Sequence, residues 1–455
     1  METLHRDPNV DLAVPRLGEA TIRSPLRLST VDGDRIYNFV SDEECIRLES
    51  LTTRERCNAP SEPPRAFERA GPREYLFFDP CDIVAGIVTC GGLCPGMNNA
   101  IRAATLELIS HYHVPRVWGF RYGFAGLNPA EGYDPIPLDA ETVDGIHHDG
   151  GSILGSSRGP QDPEIVVDRL EQMGIGLLLV IGGDGSMHGA HALCVEIARR
   201  NMPIAVVGIP KSIDNDIPLV DKTFGYETAF SIAVESIRAA HTEAIAYLNG
   251  IGLVRLMGRH SGFIASSAAV AEADADFVLV PEVPLVLDGA MGLLEALEHR
   301  LRADGHVVVV VAEGAGQDLL RDESDPVEWD ESGNMRLLDI GIYLKEWIGR
   351  KLRARGVKHT VKYIDPSYLI RSAPANPSDS LYSSDLARNA VHAGMAGRTG
   401  LLIGSWSGEY THVPLRELIA RHKTVDLEGE LWHAVLESTG QPALWGDDAI
   451  GTRSG

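Results

Sequence analysis

What constrains this chain most is an alternation. Beyond Asp82, the short apolar runs "DIVAGIVT", "GIGLLLVIGG", "PIAVVGIP", "GLVRLMG", "DFVLVPE" and "HVVVVVAEG" are separated by stretches of helical periodicity. Apolar runs of this length, without polar residues on alternate positions, are what strands buried beneath helices require. The pattern predicts βαβ units and parallel sheets. Several runs end directly in glycine and polar residues, and in open α/β sheets ligands sit outside those carboxyl ends. Function is expected there.

Outside the alternation the sequence reads differently. Residues 1–80 are polar and punctuated by proline, and "APSEPPRAFERAGPREYLFFDP" reads as an arm wrapping a core. "SDPVEWDESGNMRLLD" (324–339) is acidic and predicted to loop out. After about residue 405 strand signals fade, and "RELIARH" and "ELWHAVLEST" predict terminal helices. At 455 residues two or three domains with sizeable cores are expected. The 41 Lys and Arg against 64 Asp and Glu leave a net charge of −23, which argues against nucleic acid or an anionic membrane as a main partner. An anionic substrate would need a local basic pocket. No run is long enough for a membrane span, and "METLHRDPNVDLAVPRL" does not resemble a secretory signal, so a cytoplasmic protein is expected. Cys45, Cys57, Cys81, Cys90, Cys94 and Cys194 lack CxxC spacing, and reduced thiols follow. Cys90 and Cys94, flanking a glycine loop, read as small buried thiols before they read as redox-sensitive ones.

The strand ends supply the chemistry. "CGGLCPGMNNAIRAA" (90–104) joins a strand to a helix through glycines, a place where unpaired N–H groups and the helix dipole can meet a phosphate and where no Cβ intervenes. An ordinary βα turn would look similar. "VIGGDGSMHGA" (180–190) sets Asp184 between glycine pairs, leaving room for a polyphosphate and a carboxylate for Mg²⁺. No Walker loop is present. "VVGIPKSIDNDI" (206–217) ends in Asp214 and Asp216, which at i and i+2 in an irregular segment can face one site as base and orienting acid. Solvated acids in an Asx turn are the plain alternative. Arg158 in "GGSILGSSRGP" and Arg259 in "RLMGRHSGFIA" suit phosphoryl oxygens through their planar, permanently charged forks. "KYIDPSYLIRSAPANPSD" (362–379) adds Lys362, Tyr368 and Arg371, and "VVAEGAGQ" adds Glu313 at a strand end, placed to accept from hydroxyls.

Together these segments resemble the phosphofructokinase family. "GGLCPGMNNAIR" looks like its nucleotide loop, and GGDGS, PKSIDND, MGRHSG, EG and YLIR follow in the family's order over roughly residues 82–405. The likeness is to the long-chain group that includes plant and trypanosomatid ATP-dependent enzymes, which the N-terminal arm also fits.

That resemblance implies an α/β fold of two Rossmann-like α/β/α lobes with mainly parallel sheets and an active-site cleft between them. The arm would span 1–80, a nucleotide-binding lobe 81–226 completed by about 372–410, a sugar-phosphate lobe 227–371, and a helical tail 411–455. Gly91, Arg158, Gly159, Asp184, Gly185 and Ser186 would form the ATP site, with Asp184 on Mg²⁺. Asp214 would deprotonate the 1-hydroxyl of fructose 6-phosphate, flanked by Ser212, Ile213 and Asp216, with Arg158 and Arg259 as further catalytic groups. Met257, Gly258, Arg259 and Glu313 would line the sugar site. Tyr368, Leu369, Ile370 and Arg371, with Lys362 nearby, would hold the 6-phosphate. Gly185 favours ATP over pyrophosphate as donor, whereas Lys211 resembles a lysine of pyrophosphate users. Tyr368 and Lys362 replace the His and Arg of short bacterial enzymes, and Gly250 stands where those enzymes place an arginine that reaches a neighbouring subunit's substrate. A homodimer or homotetramer, open to allosteric control, is implied. A pyrophosphate-dependent enzyme and a non-catalytic regulatory subunit remain as alternatives. Lipid and NAD kinases share GGDGS without explaining SIDND, MGR and YLIR.

Overall fold

A computed structural model describes residues 10–49, 65–321, 328–329, 335–419 and 421–446. Cys57, parts of the arm and tail, and most of the acidic 324–339 segment lie outside the described residues. The arm contributes β1 (Ile22–Arg23), β2 (Cys45–Arg47), β3 (Ala66–Arg69) and β4 (Tyr75–Leu76). The alternation follows: β5 (Val84–Thr89), α1 (Met97–Leu106), β6 (Arg116–Phe120), β7 (Ile136–Pro137), α2 (Pro163–Gln172), β8 (Ile175–Gly182), α3 (Asp184–Arg199), β9 (Ala205–Pro210) and α4 (Tyr226–Ile245). It continues with β10 (Gly250–Leu256), α5 (Phe263–Glu272), β11 (Phe277–Leu279), α6 (Leu293–Asp304), β12 (His306–Ala312), α7 (Ile340–Ala354), β13 (Thr360–Ile364) and α8 (Ser367–Ser372). The chain then forms α9 (Pro377–Met395), β14 (Leu401–Trp406), β15 (Glu409–Pro414), α10 (Leu415–Leu418) and α11 (Glu430–Thr439).

These strands make two principal sheets. The larger runs β2-β3-β15-β14-β9-β8-β5-β6-β7, the smaller β11-β12-β10-β13. The smaller sheet is parallel throughout, as are β14, β9, β8, β5 and β6 at the centre of the larger one, whose margins are antiparallel. β5 and β9 are buried at every residue, which is why their sequences show no polar alternation.

The strand orders fix where ligands can enter. From β5 the chain moves to β6 on one side and then crosses back to β8 on the other, so the connections diverge between β5 and β8. In the smaller sheet β12 adjoins β10, and the chain then crosses to β13 on β10's far side. Divergent connections leave a crevice outside the carboxyl ends. The first crevice receives the loops after β5 and β8, the second those after β10 and β12.

Helix α4 brings the two sheets together. Its buried face is built of Ala229, Ala233, Ile237, Ala240 and Ala244, at helical spacing. Small residues let it lie so close to β10 that a Cβ on Gly250 would stand 2.0 Å from the Ala244 carbonyl oxygen. No arginine fits at position 250 in this packing. The N-terminus of α4 is capped from α9: Asp379 accepts from the Gly225 and Thr228 N–H groups at 2.8 and 2.6 Å.

Three expectations need correcting. The arm does more than wrap, because β3 joins β15 and extends the large sheet. Its sequence, AFER, is too short and charged to display a strand period, although the strand is paired on both sides, with β2 and β15. Strand structure also persists beyond residue 405: β14 and β15 pair across Ser407 and Gly408, both at positive φ, the geometry of a tight hairpin. Finally, among the described residues "RELIARH" is helical only at its start, within Leu415–Leu418, and Arg421 to Gly429 runs without helix or strand until α11 begins.

Candidate active site

The loop after β5 is held open from beneath. Gly91 and Gly96 take φ of 85° and 96°, conformations that favour glycine. The Gly91 N–H donates to the Ser157 carbonyl at 3.1 Å, and the Ser156 hydroxyl donates to the Gly91 carbonyl. The buried Lys211 ammonium donates to the Gly92 carbonyl at 2.8 Å. Burial lowers its pKa. A Cβ on Gly92 would lie 3.6 Å from the Arg158 guanidinium, so the loop, Lys211 and exposed Arg158 share one corner. Gly159, next along, takes φ of 95°.

Across this corner α3 begins at Asp184 with no side-chain cap, leaving its amino end to the crevice. A Cβ on Gly185 would meet nothing within 4 Å, whereas Ser186 is buried. His188 approaches Asp184 to 3.7 Å. Burial raises the Asp184 carboxyl, His188 lowers it again, Asp216 adds to the rise, and His422 and His260 oppose it. Asp184 thus lies within electrostatic reach of the SIDND loop.

That loop is rigidly built. Ser212 donates to Asp216 at 2.6 Å and accepts from the Asp214 N–H at 3.2 Å, and Thr223 donates to the Ser212 carbonyl at 2.6 Å. Asp214 Oδ1 is shielded from solvent and has no hydrogen-bond partner. Burial first, then Asp216 and Glu313, push this carboxyl up to about 8 against the pull of Arg371 and the Arg259 N–H. Both sheets therefore meet at Asp214. Ser261, in the loop after β10, confirms the junction by donating to the Asp214 carbonyl at 2.9 Å.

On the smaller sheet, Gly258 takes φ of 126°, and the Glu313 N–H donates to the Leu256 carbonyl at 2.8 Å, joining the ends of β10 and β12. Arg259 Nη1 donates to the Met335 carbonyl at 2.5 Å. Glu313 pairs with Arg255 at 2.6 Å, and Arg255 with Asp365 at 2.8 Å. Ile213, Met257 and Ile370 are buried in the core, so only their backbones can meet a ligand. Tyr368 and Leu369 are 85% and 69% exposed, while Arg371 is half-buried.

Lys362 is not brought to this site. It pairs with Gly252 in the middle of β10, four residues short of Leu256, or about 13 Å along the strand. Its ammonium meets Glu243 at 3.1 Å and lies 4.4 Å from the Tyr247 ring centroid. Cys90 and Cys94 are buried; burial pushes Cys90 up to about 12 and Cys94 still higher, which disfavours the reactive thiolate. Sequence reasoning missed Arg255, which orients Glu313, and Lys423 and Glu282, which touch the catalytic loops. Arg255 was visible as a lone charge inside an apolar strand. Glu282 closes the quoted run "DFVLVPE", where it reads only as a strand end, and Lys423 lies in a segment without any motif.

A family model described as phosphofructokinase matches residues 84–394. The chain belongs to the phosphofructokinase family. It is 47% identical to an "ATP-dependent 6-phosphofructokinase" of Amycolatopsis methanolica over 98% of this chain and 97% of that protein. A protein of the same name from Trypanosoma brucei brucei is 46% identical over 84% of this chain and 78% of its own length. "ATP-dependent 6-phosphofructokinase 1" of Arabidopsis thaliana is 45% identical over 83% and 80%. Among solved structures, a pyrophosphate-dependent phosphofructokinase from Marinobacter aquaeolei aligns with a TM-score of 0.64 at 22% identity, over 80% of this chain and 92% of that one. It shares the two-lobed fold. Among the described residues no helix is long and apolar enough to cross a membrane.

Proposed function

We propose that this phosphofructokinase transfers the γ-phosphoryl group of ATP to the 1-hydroxyl of fructose 6-phosphate. The observation that carries the reading is Asp214: a carboxylate oxygen shielded from solvent and without a partner, at the junction of the two crevices. As the sugar oxygen bonds to phosphorus, its proton passes to Asp214, and the bond from phosphorus to the ADP oxygen breaks in line. Asp216, oriented by Ser212, completes the loop.

The donor's phosphates would lie over Gly91, Arg158, Gly159, Asp184 and Ser186, and Lys211 supports the loop from below. Open space at Gly185 favours ATP over pyrophosphate. Met257, Gly258, Arg259 and Glu313 would line the sugar, with Arg371 and the exposed Tyr368 at its phosphate. Among the described residues no group of three His, Cys, Asp or Glu could hold a metal alone, so Mg²⁺ would share Asp184 with the donor's phosphates, a donor set that suits this ion. Bound there, it would neutralise charge on the transferring group. Cytoplasmic location, a homo-oligomer and allosteric control belong to the same reading.

An aldolase-coupled assay of fructose 6-phosphate with ATP or pyrophosphate tests it. Turnover with ATP and little with pyrophosphate is expected. No turnover with either donor would point to a regulatory subunit, and comparable rates would overturn the donor assignment.

A further inference from the structure

The sequence expects no more of residues 411–455 than terminal helices, yet the structure draws residues 421–425 across both catalytic loops. Lys423 is 8% exposed. Its ammonium donates to Asn215 Oδ1 at 3.2 Å and to the carbonyls of Val220 and Asp221 at 3.0 and 2.8 Å, and it lies 5.2 Å from the Phe263 ring centroid. Its backbone N–H donates to the Asp216 carbonyl at 3.2 Å. Two residues on, the Val425 N–H donates to Glu282 Oε1 at 2.8 Å, and the same oxygen accepts from Gly262 N–H at 2.9 Å. Gly262, the last residue of MGRHSG, is the N-cap of α5. His422, just before Lys423, lies near His260, with ring centroids 6.0 Å apart and planes tilted by 31°.

Asn215 is the residue on which this matters. It stands between Asp214 and Asp216 at φ 54°, a left-handed turn that sets the directions of the two flanking carboxylates. Its side-chain oxygen is held by the Thr223 N–H at 3.1 Å and by the Lys423 ammonium. We propose that Lys423 is a positioning residue for phosphoryl transfer, holding the Asn215 turn and through it Asp214 and Asp216. Its ammonium is directed at Asn215, Val220 and Asp221 and away from the carboxylates themselves, so its part is to hold and not to react. The inference rests on the phosphofructokinase reading and adds a distant segment to that site. Its charge is matched to the place: three neutral oxygens of one loop converge on it, and a shorter or apolar side chain would take this donor from the Val220 and Asp221 carbonyls and leave Asn215 Oδ1 held by the Thr223 N–H alone.

The test compares three variants with wild type for kcat, for KM of fructose 6-phosphate and of ATP, and for Tm. Lys423→Met keeps the length and removes the donors. Lys423→Arg keeps the charge but displaces the donors. Gln441→Ala loosens the same tail elsewhere, where the Gln441 side chain pairs with Val278 N–H and carbonyl at 2.6 and 3.2 Å on the edge of the smaller sheet. A misplaced reacting group can cost on the order of 10²-fold, so kcat should fall about 10- to 100-fold in Lys423→Met, with both KM values within about threefold. Lys423→Arg should lose kcat in the same direction, and it decides the matter where Lys423→Met does not fold. Gln441→Ala should lower Tm and keep wild-type kcat. Wild-type kcat in either Lys423 variant, or an equal loss of kcat in Gln441→Ala, overturns the proposal. Absence of turnover in wild type, measured first, would instead overturn the reading beneath it.

Discussion

In the proposed reaction Asp214 has to accept a proton from an alcohol while sitting where water cannot reach one of its oxygens. Burial and the neighbouring Asp216 and Glu313 favour its protonated form, and Arg371 opposes them. Only the ionised form can act as base, so kcat/KM for fructose 6-phosphate should climb as pH rises through neutrality, levelling near 8 and not near the ordinary aspartate value of about 3.9. The second ionisation of the sugar phosphate, near pH 6, lies below that limb. A profile already flat above pH 6.5 would show that Asp214 is not the titrating base. Replacing it by Asn removes the acceptor and keeps the shape. Turnover should fall about 10²- to 10⁴-fold with sugar-phosphate binding within a few-fold, as measured by equilibrium titration. Near-normal turnover would take the role from Asp214.

Between residue and whole, β3 is the element whose sequence says least and whose contacts say most. Glu68 on this strand meets Arg73 and Arg398, whose side chains are 4% and 2% exposed, and Asp42 completes the cluster. Burial alone would raise the Glu68 carboxyl, but His412 and Arg398 together hold it far below the usual range. The sign follows from that depression: the stabilisation is present above the unfolded value of about 4.3 and is lost as pH falls below it. Glu68→Gln removes the more buried of the two carboxylates that Arg73 and Arg398 share, leaves them the half-exposed Asp42, and should cost roughly 1.5–3 kcal/mol, read as a fall in Tm at pH 7. A Tm unchanged at pH 7 would make the cluster ornamental. The same strand shows why part of the fold was hidden in the sequence. Central strands declare themselves because burial on both faces demands apolar residues at every position, and the loops at their ends declare themselves through glycine and paired acids. β3 takes β15 as a partner more than 300 residues away and β14 takes β9 nearly 200 residues away, and pairings over such distances leave no local period. Lys423 was invisible for the same reason. Lys362 was misplaced because adjacency in "KYIDPSYLIR" suggested one clamp, whereas a strand carries its first residues away from the end that holds the site.

The molecule as a whole is strongly acidic, at −23, and yet its proposed substrates are both polyanions. Attraction must then be local, and in the proposed reading the two sheets divide it: the crevice of the larger would face the donor, that of the smaller the acceptor. Substitutions on one side should spare the other. Arg371→Ala should raise KM for fructose 6-phosphate about 10- to 100-fold, the equivalent of roughly 1.5–3 kcal/mol for a charge-assisted bond, with little change for ATP. Equal changes for both would indicate damage to the fold. Gly185 offers the converse test, and its surroundings make it a clean one. A Cβ there meets nothing within 4 Å, the backbone is not at positive φ, and the position lies in the first turn of α3, where the dipole tolerates an acid. Gly185→Asp should therefore fold with Tm close to wild type. The new carboxylate would occupy the open space proposed for the donor's α-phosphate, beside Asp184, so repulsion should abolish ATP use while fructose 6-phosphate binding persists. Gain of pyrophosphate use is not required, because excluding a nucleotide does not by itself build a site for a smaller anion. An undamaged ATP rate in a folded Gly185→Asp protein would place the donor elsewhere than over α3 and would undo the division of labour between the sheets.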